Sequence, residues 1–81
     1  MRFRVEHFRA FEAPGTPLGF DYLSTGQVEE IEAHAEADAA AVALSVGDDM
    51  PDVDTVGYDP AHGLYGLPGE EVAVRVTVLA G

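Results

Sequence analysis

The sequence has no lysine, no cysteine and no tryptophan among its 81 residues. The absence of cysteine excludes a disulfide framework, thiolate catalysis, iron-sulfur ligation and zinc sites built on thiolates. Only four residues are basic against 15 acidic ones, which gives a formal net charge of -11. Such a chain has no basic surface for phosphates, so the charge disfavours binding to nucleic acid or to anionic lipid.

Long apolar runs are also missing. No segment approaches the roughly 20 apolar residues that span a bilayer, and residues 1–12 carry charge throughout instead of forming the apolar part of a signal peptide. We therefore expect a single small, soluble, acidic domain over residues 1–81, without an export signal, in the cytoplasm or in a virion. No motif calls for a cofactor.

The few basic residues are confined to the two ends of the chain. They are Arg2, Arg4, Arg9 and Arg75, whereas residues 13–69 hold 11 acids and no base. If the first and last strands are neighbours, these arginines concentrate the positive charge in one region, where we expect an acidic partner such as an identical copy. Acids in place of lysine are typical of proteins from extreme halophiles, with an ordinary acidic protein from a high-GC genome as the alternative.

Alternating apolar residues predict a hairpin at the start of the chain. Residues 2–12 have strand periodicity that slips near Glu6 and His7, which indicates either a bulge there or a strand covered on both faces. A turn at residues 13–16 follows, and Leu18, Phe20 and Tyr22 alternate again behind it.

A capping pattern predicts a helix next. Ser24 with Gln27 fits a capping box and Leu23 with Val28 a hydrophobic staple, so we expect a helix from Ser24 to about Asp38. Residues 40–46 then favour a strand, although the apolar spacing also fits one long helix that continues to Gly47.

The remainder favours a sheet. We expect a loop over residues 47–52, a short strand over 53–58, a loop over 59–69 and a final strand whose four valines at positions 72, 74, 76 and 78 share one face. The predicted fold class is α+β, with one helix packed on a four- or five-stranded, mostly antiparallel sheet. The expected order is strand, strand, helix, strand, strand, strand.

A loop rich in aspartate is the candidate metal site. Asp48, Asp49, Asp52 and Asp54 supply the oxygen ligands that a hard cation prefers. Their spacing does not match an EF-hand loop, so the sequence favours a solvated acidic turn over a specific site. Weak cation binding fits both interpretations.

Histidines offer little sign of catalysis. His7, His34 and His62 lie on three different predicted elements, and nothing in their spacing brings them together. Asp59 could orient the His62 ring, but no serine, threonine or cysteine stands near them in sequence, so a structural turn is favoured. We predict no catalytic residues and no enzyme activity.

The glycine-rich segment Gly63–Gly69 carries Leu64, Tyr65 and Leu67. If these three are exposed, they form an adhesive patch for a neighbouring subunit; if buried, they close the open end of the sheet. The sequence does not choose between the two.

The order hairpin, helix, strands, the segment Gly69-Glu70-Glu71-Val72-Ala73-Val74 and the final Gly81 resemble the β-grasp proteins, including ubiquitin-like sulfur carriers. This resemblance implies a carrier or modifier that acts through the carboxylate of Gly81. The function predicted from the residues themselves is a non-catalytic structural or interaction component of a larger assembly, built with a protein partner or with further copies. A virion or capsid-associated protein of a halophilic virus is the specific expectation.

Overall fold

A computed structural model describes residues 1–16, 19–45 and 49–79. Five antiparallel strands form one sheet, and one α-helix packs on it. The strands are β1 (Arg2–Glu12), β2 (Phe20–Glu32), β3 (Gly57–Asp59), β4 (Leu64–Gly66) and β5 (Val72–Val78), and helix α1 (Glu36–Ala43) follows β2. In the sheet they are ordered β2, β1, β5, β4, β3. The predicted α+β class and the predicted order of elements along the chain are confirmed.

The opening hairpin contains the predicted irregularity. The register of β1 against β2 shifts between Glu6, which pairs with Val28, and Phe8, which pairs with Ser24. Residues 25–27 therefore lie opposite His7 alone, and Gly26 has φ 85°, a conformation that suits glycine. The strand therefore has the predicted bulge and is also covered on both faces, because Phe8 is buried on the face opposite to Phe3 and Val5.

The predicted helix from Ser24 to Asp38 is wrong in its first half, where β2 continues to Glu32. Pairing with β1 supplies hydrogen bonds along this segment, and Ile31 packs with Phe3 in the core. The Ser24 hydroxyl instead accepts a bond from Gly26 N at 3.2 Å and donates to Glu6 Oε2 at 2.7 Å. Serine side chains that bond the nearby backbone occur both in turns and at helix N-caps. The same residues therefore fit a capping pattern here without starting a helix.

The predicted strand over residues 40–46 is also wrong, because α1 runs to Ala43. Ala39, Ala40 and Ala41 are fully buried, and alanine is both the strongest helix former and small enough to let the helix approach the sheet closely. Leu44 then adds a buried side chain just after the helix, while Val46 and Gly47 lie outside the described residues.

The main core lies between α1 and one face of the sheet, which we call the helix-bearing face. It is formed by Phe3, Val5, Ile31, Ala39, Ala40, Leu44 and Val74. The predicted strand at residues 72–78 is confirmed, but its valines are not equally covered: Val74 is fully buried, whereas Val72 and Val78 are each 45% exposed. A helix of eight residues is only about 12 Å long and covers the middle of this strand.

A second, smaller cluster lies on the opposite face of the sheet. Phe8, Leu64 and Ala73 are buried there, and Tyr22 packs against them. The predicted strand over 53–58 is split into a 3-10 turn, Val53–Thr55, and the start of β3, while the predicted loop over 59–69 contains β4. In the described part of the chain, no helix is long and apolar enough to cross a membrane.

Candidate functional site

The first and last strands are neighbours, since β1 pairs antiparallel with β5 from Phe3 opposite Val78 to Arg9 opposite Val72. Side chains alternate between the two faces along a strand. Arg2, Arg4 and Arg75 therefore lie on the face opposite to the helix, whereas Arg9 lies on the helix-bearing face. The four arginines do not share one surface.

Acidic residues offset the charge of the three arginines that do share a face. Arg2 Nε lies 3.8 Å from Glu32 Oε2, and Arg4 is directly opposite Glu30. Arg75 is opposite Glu6 and lies 4.9 Å from the centre of the Phe8 ring, within cation–π distance. This surface is a mixture of both signs, so the predicted concentration of positive charge does not arise there.

Arg9 has different surroundings. Leu23 on β2 and Val72 on β5 are its directly opposite neighbours, and Phe11 lies two residues further along β1 on the same face. Leu23 is 67% exposed, Phe11 47% and Val72 45%, and Glu71 Oε2 lies 3.8 Å from the Arg9 guanidinium. We call Arg9, Phe11, Leu23 and Val72 the arginine-centred patch.

The glycine-rich segment is folded against the sheet. Leu64 is 2% exposed, and Leu67 packs on the main core. Of the two possibilities that the sequence left open, the structure shows the one in which these residues are buried. Tyr65 Oη donates a hydrogen bond to Glu36 Oε2 at 3.0 Å, which ties β4 to the start of α1. Burial, together with this bond to a carboxylate, raises the pKa of Tyr65 to about 12.

The aspartate-rich loop is only partly within the described residues, because Asp48 lies outside them. Asp52 Oδ1 accepts a hydrogen bond from Asp54 N at 3.2 Å and so caps the 3-10 turn. Among residues 1–16, 19–45 and 49–79, no three histidine, aspartate or glutamate side chains are grouped to hold a metal ion. Weak cation binding by Asp49, Asp52 and Asp54 stays a prediction.

His7 and His62 each have a carboxylate partner. His7 Nε2 lies 2.6 Å from Glu29 Oε2 across the β1–β2 pair. The proposed pairing of Asp59 with His62 is present, with Nδ1 2.6 Å from Asp59 Oδ2. The bond from His62, and further bonds that include one from Ala61 N, hold the pKa of the Asp59 carboxyl below its usual value.

Two further residues join this pair and were not foreseen from the sequence. His62 Nε2 lies 3.6 Å from Asp21 Oδ1, and the His62 and Tyr22 rings meet edge to face. In the described chain, the polar contacts of the His62 ring are to carboxylates, and no serine or threonine hydroxyl bonds to it. The arrangement fixes the β3–β4 turn onto β2 and offers no nucleophile for the histidine to activate.

An aromatic cleft opens beside this turn, with a volume of about 310 Å³. Phe20, Tyr22 and Asp59 line it, and it is bordered by Tyr58 and Tyr65, whose rings lie on the helix-bearing face. The sequence places these residues in three separate segments, so only the folding of the β3–β4 turn towards β2 brings them together. The one sequence signal was the repeated pairing of a tyrosine with a glycine at Gly57-Tyr58 and Tyr65-Gly66.

The final residue, Gly81, on which the carrier interpretation depends, lies outside the described residues. The last described backbone contact is Leu79 N donating to Arg2 O at 3.0 Å, which continues the pairing of β5 with β1. The chain matches no protein-family model, and the searches of curated proteins and of solved structures found no match either.

Proposed function

We propose that this domain is a non-catalytic interaction component of a larger assembly and that it binds other protein chains through the arginine-centred patch. The observation that carries the proposal is the exposure of three large apolar side chains around one arginine on the helix-bearing face of the sheet. Arginine and aromatic residues are the types that contribute most to protein interfaces. Scattered single apolar residues are ordinary on a surface, but here they are adjacent.

The position of the patch explains why it remains uncovered in the single chain. Helix α1 packs over the part of the sheet that contains Phe3, Val5 and Val74, and β1 and β2 extend beyond it. The outer end of the hairpin therefore presents the helix-bearing face without a helix. A second protein surface that packs here would complete a layer that residues 1–16, 19–45 and 49–79 leave unfinished.

Arg9 attracts an acidic partner such as a second copy, in competition with Glu71 of its own chain, which lies 3.8 Å from its guanidinium. Arg9 is the basic member of the patch, whereas residues 13–69 of each copy supply 11 acids. At low ionic strength, two chains of net charge -11 repel each other, and salt screens that repulsion. This dependence suits an assembly at high salt, such as a virion of a halophilic virus, and apolar contact supplies an attraction that salt does not weaken.

The test compares two substitutions on one strand. Arg9→Gln and Arg4→Gln remove the same charge from opposite faces of β1. We expect association, measured by chromatography with light scattering from about 0.2 to about 3 M salt, to strengthen with salt in the unmodified chain. Arg9→Gln should weaken it about 10-fold, which is about 1.4 kcal/mol, and Arg4→Gln should change it little.

Leu23→Thr tests the apolar part of the patch, since threonine keeps the preference for a strand and removes most of the exposed apolar surface. It should weaken association as Arg9→Gln does. If Arg9→Gln and Arg4→Gln weakened association equally, the arginine-centred patch would not be the binding surface. A strict monomer at every salt concentration that also binds no partner in pull-downs would remove the proposal itself.

A further inference from the structure

The aromatic cleft lies on the face opposite to the arginine-centred patch, and its size and lining are those of a site for a small group. Its volume of about 310 Å³ is at the lower end of the range of ligand pockets. Its floor is backbone: Gly57 and Gly66 face each other across β3 and β4, and Ala73 lies beside them. These three floor residues carry no side chain larger than a methyl group.

One wall of the cleft is aromatic. Phe20 and Tyr22 pack edge to face with centroids 5.5 Å apart and line the cleft. Tyr58 and Tyr65 form another pair at 4.8 Å, but their rings lie on the helix-bearing face, where Tyr65 packs on the main core, so this pair is not part of the cleft's aromatic wall. The faces of such rings carry a negative potential that attracts cations. The Phe20–Tyr22 pair in the cleft therefore favours a positively charged guest over a neutral one of the same shape.

Asp59 adds a formal negative charge to the same cleft. Its carboxylate is held in the ionised form by hydrogen bonds from His62 and from Ala61 N. Tyr22 in the cleft wall lies within its field: burial, and to a smaller extent the charge of Asp59, raise the pKa of the Tyr22 phenol. Among the described residues that line the cleft there is no arginine, and the chain has no lysine; the basic group beside Asp59 is His62, which is not among the lining residues.

We propose that the aromatic cleft binds the head group of an organic cation, an alkylated ammonium or a guanidinium. The rings and Asp59 attract its charge, and the glycine floor and Leu64 receive its apolar body. A hydrated metal ion lacks that apolar body. The same chemistry is available from a free small molecule and from a side chain of a partner protein. This site does not depend on the assembly proposed above, because it lies on the other face of the sheet.

Choline and its neutral isostere, in which carbon replaces the quaternary nitrogen, are the first probes. They are titrated into the full chain while the backbone amide signals of Gly57 and Gly66 are followed by NMR. We expect saturable shifts with choline and at least about 10-fold weaker binding of the isostere. Equal binding of the two probes, or no shift at either glycine, would overturn the proposal.

Substitutions in the floor and walls locate the site. Gly57→Val adds a Cβ that meets only Gly66 O at 3.8 Å, an ordinary contact distance, and its two methyl groups extend into the cleft, so it should abolish the choline shifts. Gly15→Val is its matched control, because nothing lies within 4 Å of a Cβ there and the turn is outside the cleft. Phe20→Leu retains an apolar wall without a ring, and it should reduce the affinity for choline but not for the isostere. Unchanged choline affinity in both Gly57→Val and Phe20→Leu would place binding elsewhere and contradict the proposal.

Two peptide probes then separate the sources of the cation. A short peptide with one trimethyllysine and the amide of acetylated arginine are titrated in the same way. Binding at least about 10-fold tighter than choline identifies a protein side chain as the ligand, whereas tighter binding of choline identifies a small molecule. Either result supports the site, and failure of all three cations overturns it.

Discussion

The ring of Tyr22 meets the ring of His62 edge to face, with centroids 5.2 Å apart and planes at 76°. Tyr22 belongs to β2 at one edge of the sheet, and His62 lies in the turn after β3, the strand at the other edge. The sheet is therefore curled until its two ends touch across the face opposite to the helix. Tyr22 in this contact packs against the small cluster around Phe8 and Leu64 and lines the aromatic cleft.

The contact between Tyr22 and His62 should contribute measurably to stability. In a double-mutant cycle with Tyr22→Ala and His62→Ala, we expect a coupling energy of about 1 kcal/mol in the free energy of unfolding, since an aromatic pair adds about that much beyond its buried area. Phe11→Ala, an exposed aromatic on the other face, should show no coupling with His62→Ala beyond about 0.3 kcal/mol. Denaturant unfolding at one salt concentration measures both cycles. Equal coupling energies in the two cycles would contradict the contact between Tyr22 and His62.

Asp59 should make the fold sensitive to acid. Its pKa lies below the ordinary 3.8 in the folded chain because His62 and nearby backbone groups bond to the carboxylate. A group with a lowered pKa adds stability that is present above its unfolded pKa and lost as pH falls through the folded value. We expect Asp59→Asn to be less stable than the unmodified chain at neutral pH, with the difference shrinking below pH 3.8.

The control for Asp59 is His62→Phe, which keeps a ring beside Tyr22 and removes the hydrogen bond to the carboxylate. In the His62→Phe background, adding Asp59→Asn should produce little pH-dependent change in the free energy of unfolding. Unfolding by denaturant across the acid range measures it. A difference of constant size at every pH would show that the bond from His62 does not set the pKa of Asp59.

Tyr65 should make the fold sensitive to alkali. The unfolded chain loses the phenol proton near pH 10.0, whereas the folded chain keeps it to about 12. The folded state then binds more protons over this interval, so stability falls as pH rises from 10.0 to about 12. Tyr65→Phe should flatten this decline, and Glu36→Gln should move the ionisation of Tyr65, followed by tyrosinate absorbance, towards ordinary values. An alkaline decline that is unchanged in Tyr65→Phe would contradict this assignment.

The valines of β5 should differ sharply in their contributions to the free energy of unfolding. Val74 is fully buried under α1, so Val74→Ala should lower the free energy of unfolding by about 2 kcal/mol through lost burial and a residual cavity. Val72 has the same residue type, strand and face, but it is 45% exposed, and Val72→Ala should cost less than about 0.5 kcal/mol. Similar losses in the two variants would mean that the outer end of the sheet is covered in solution, for example by another chain.

Much of the fold followed from periodicity. The alternation in β1 and β5 was strong enough to predict both strands and the irregularity at Glu6 and His7, and the fold class followed from the order of the elements. The assignment of residues 24–32 failed because Ser24, Gln27 and the apolar spacing of Val28 and Ile31 fit a helix locally. Hydrogen bonding to a long neighbouring strand outweighed that preference.

The candidate site was less accessible from the sequence. The pairing of Asp59 with His62 was visible because the two residues are close in the chain, but their contacts to Asp21 and Tyr22 were not. Contacts between residues far apart in sequence depend on how a sheet twists and curls, and no local pattern encodes that curl. The aromatic cleft exists only through such contacts.

The sequence by itself determined the charge of -11, the absence of lysine and cysteine chemistry, the confinement of the arginines to the two terminal strands and the alternation that makes those strands. Only the tertiary structure decided that Arg9 stands apart on the helix-bearing face and that acids accompany the other three arginines. The physical reason is that composition and periodicity are local properties. The neighbours of a side chain across a sheet are set instead by register, by the bulge opposite His7 and by the length of the one helix that covers the sheet.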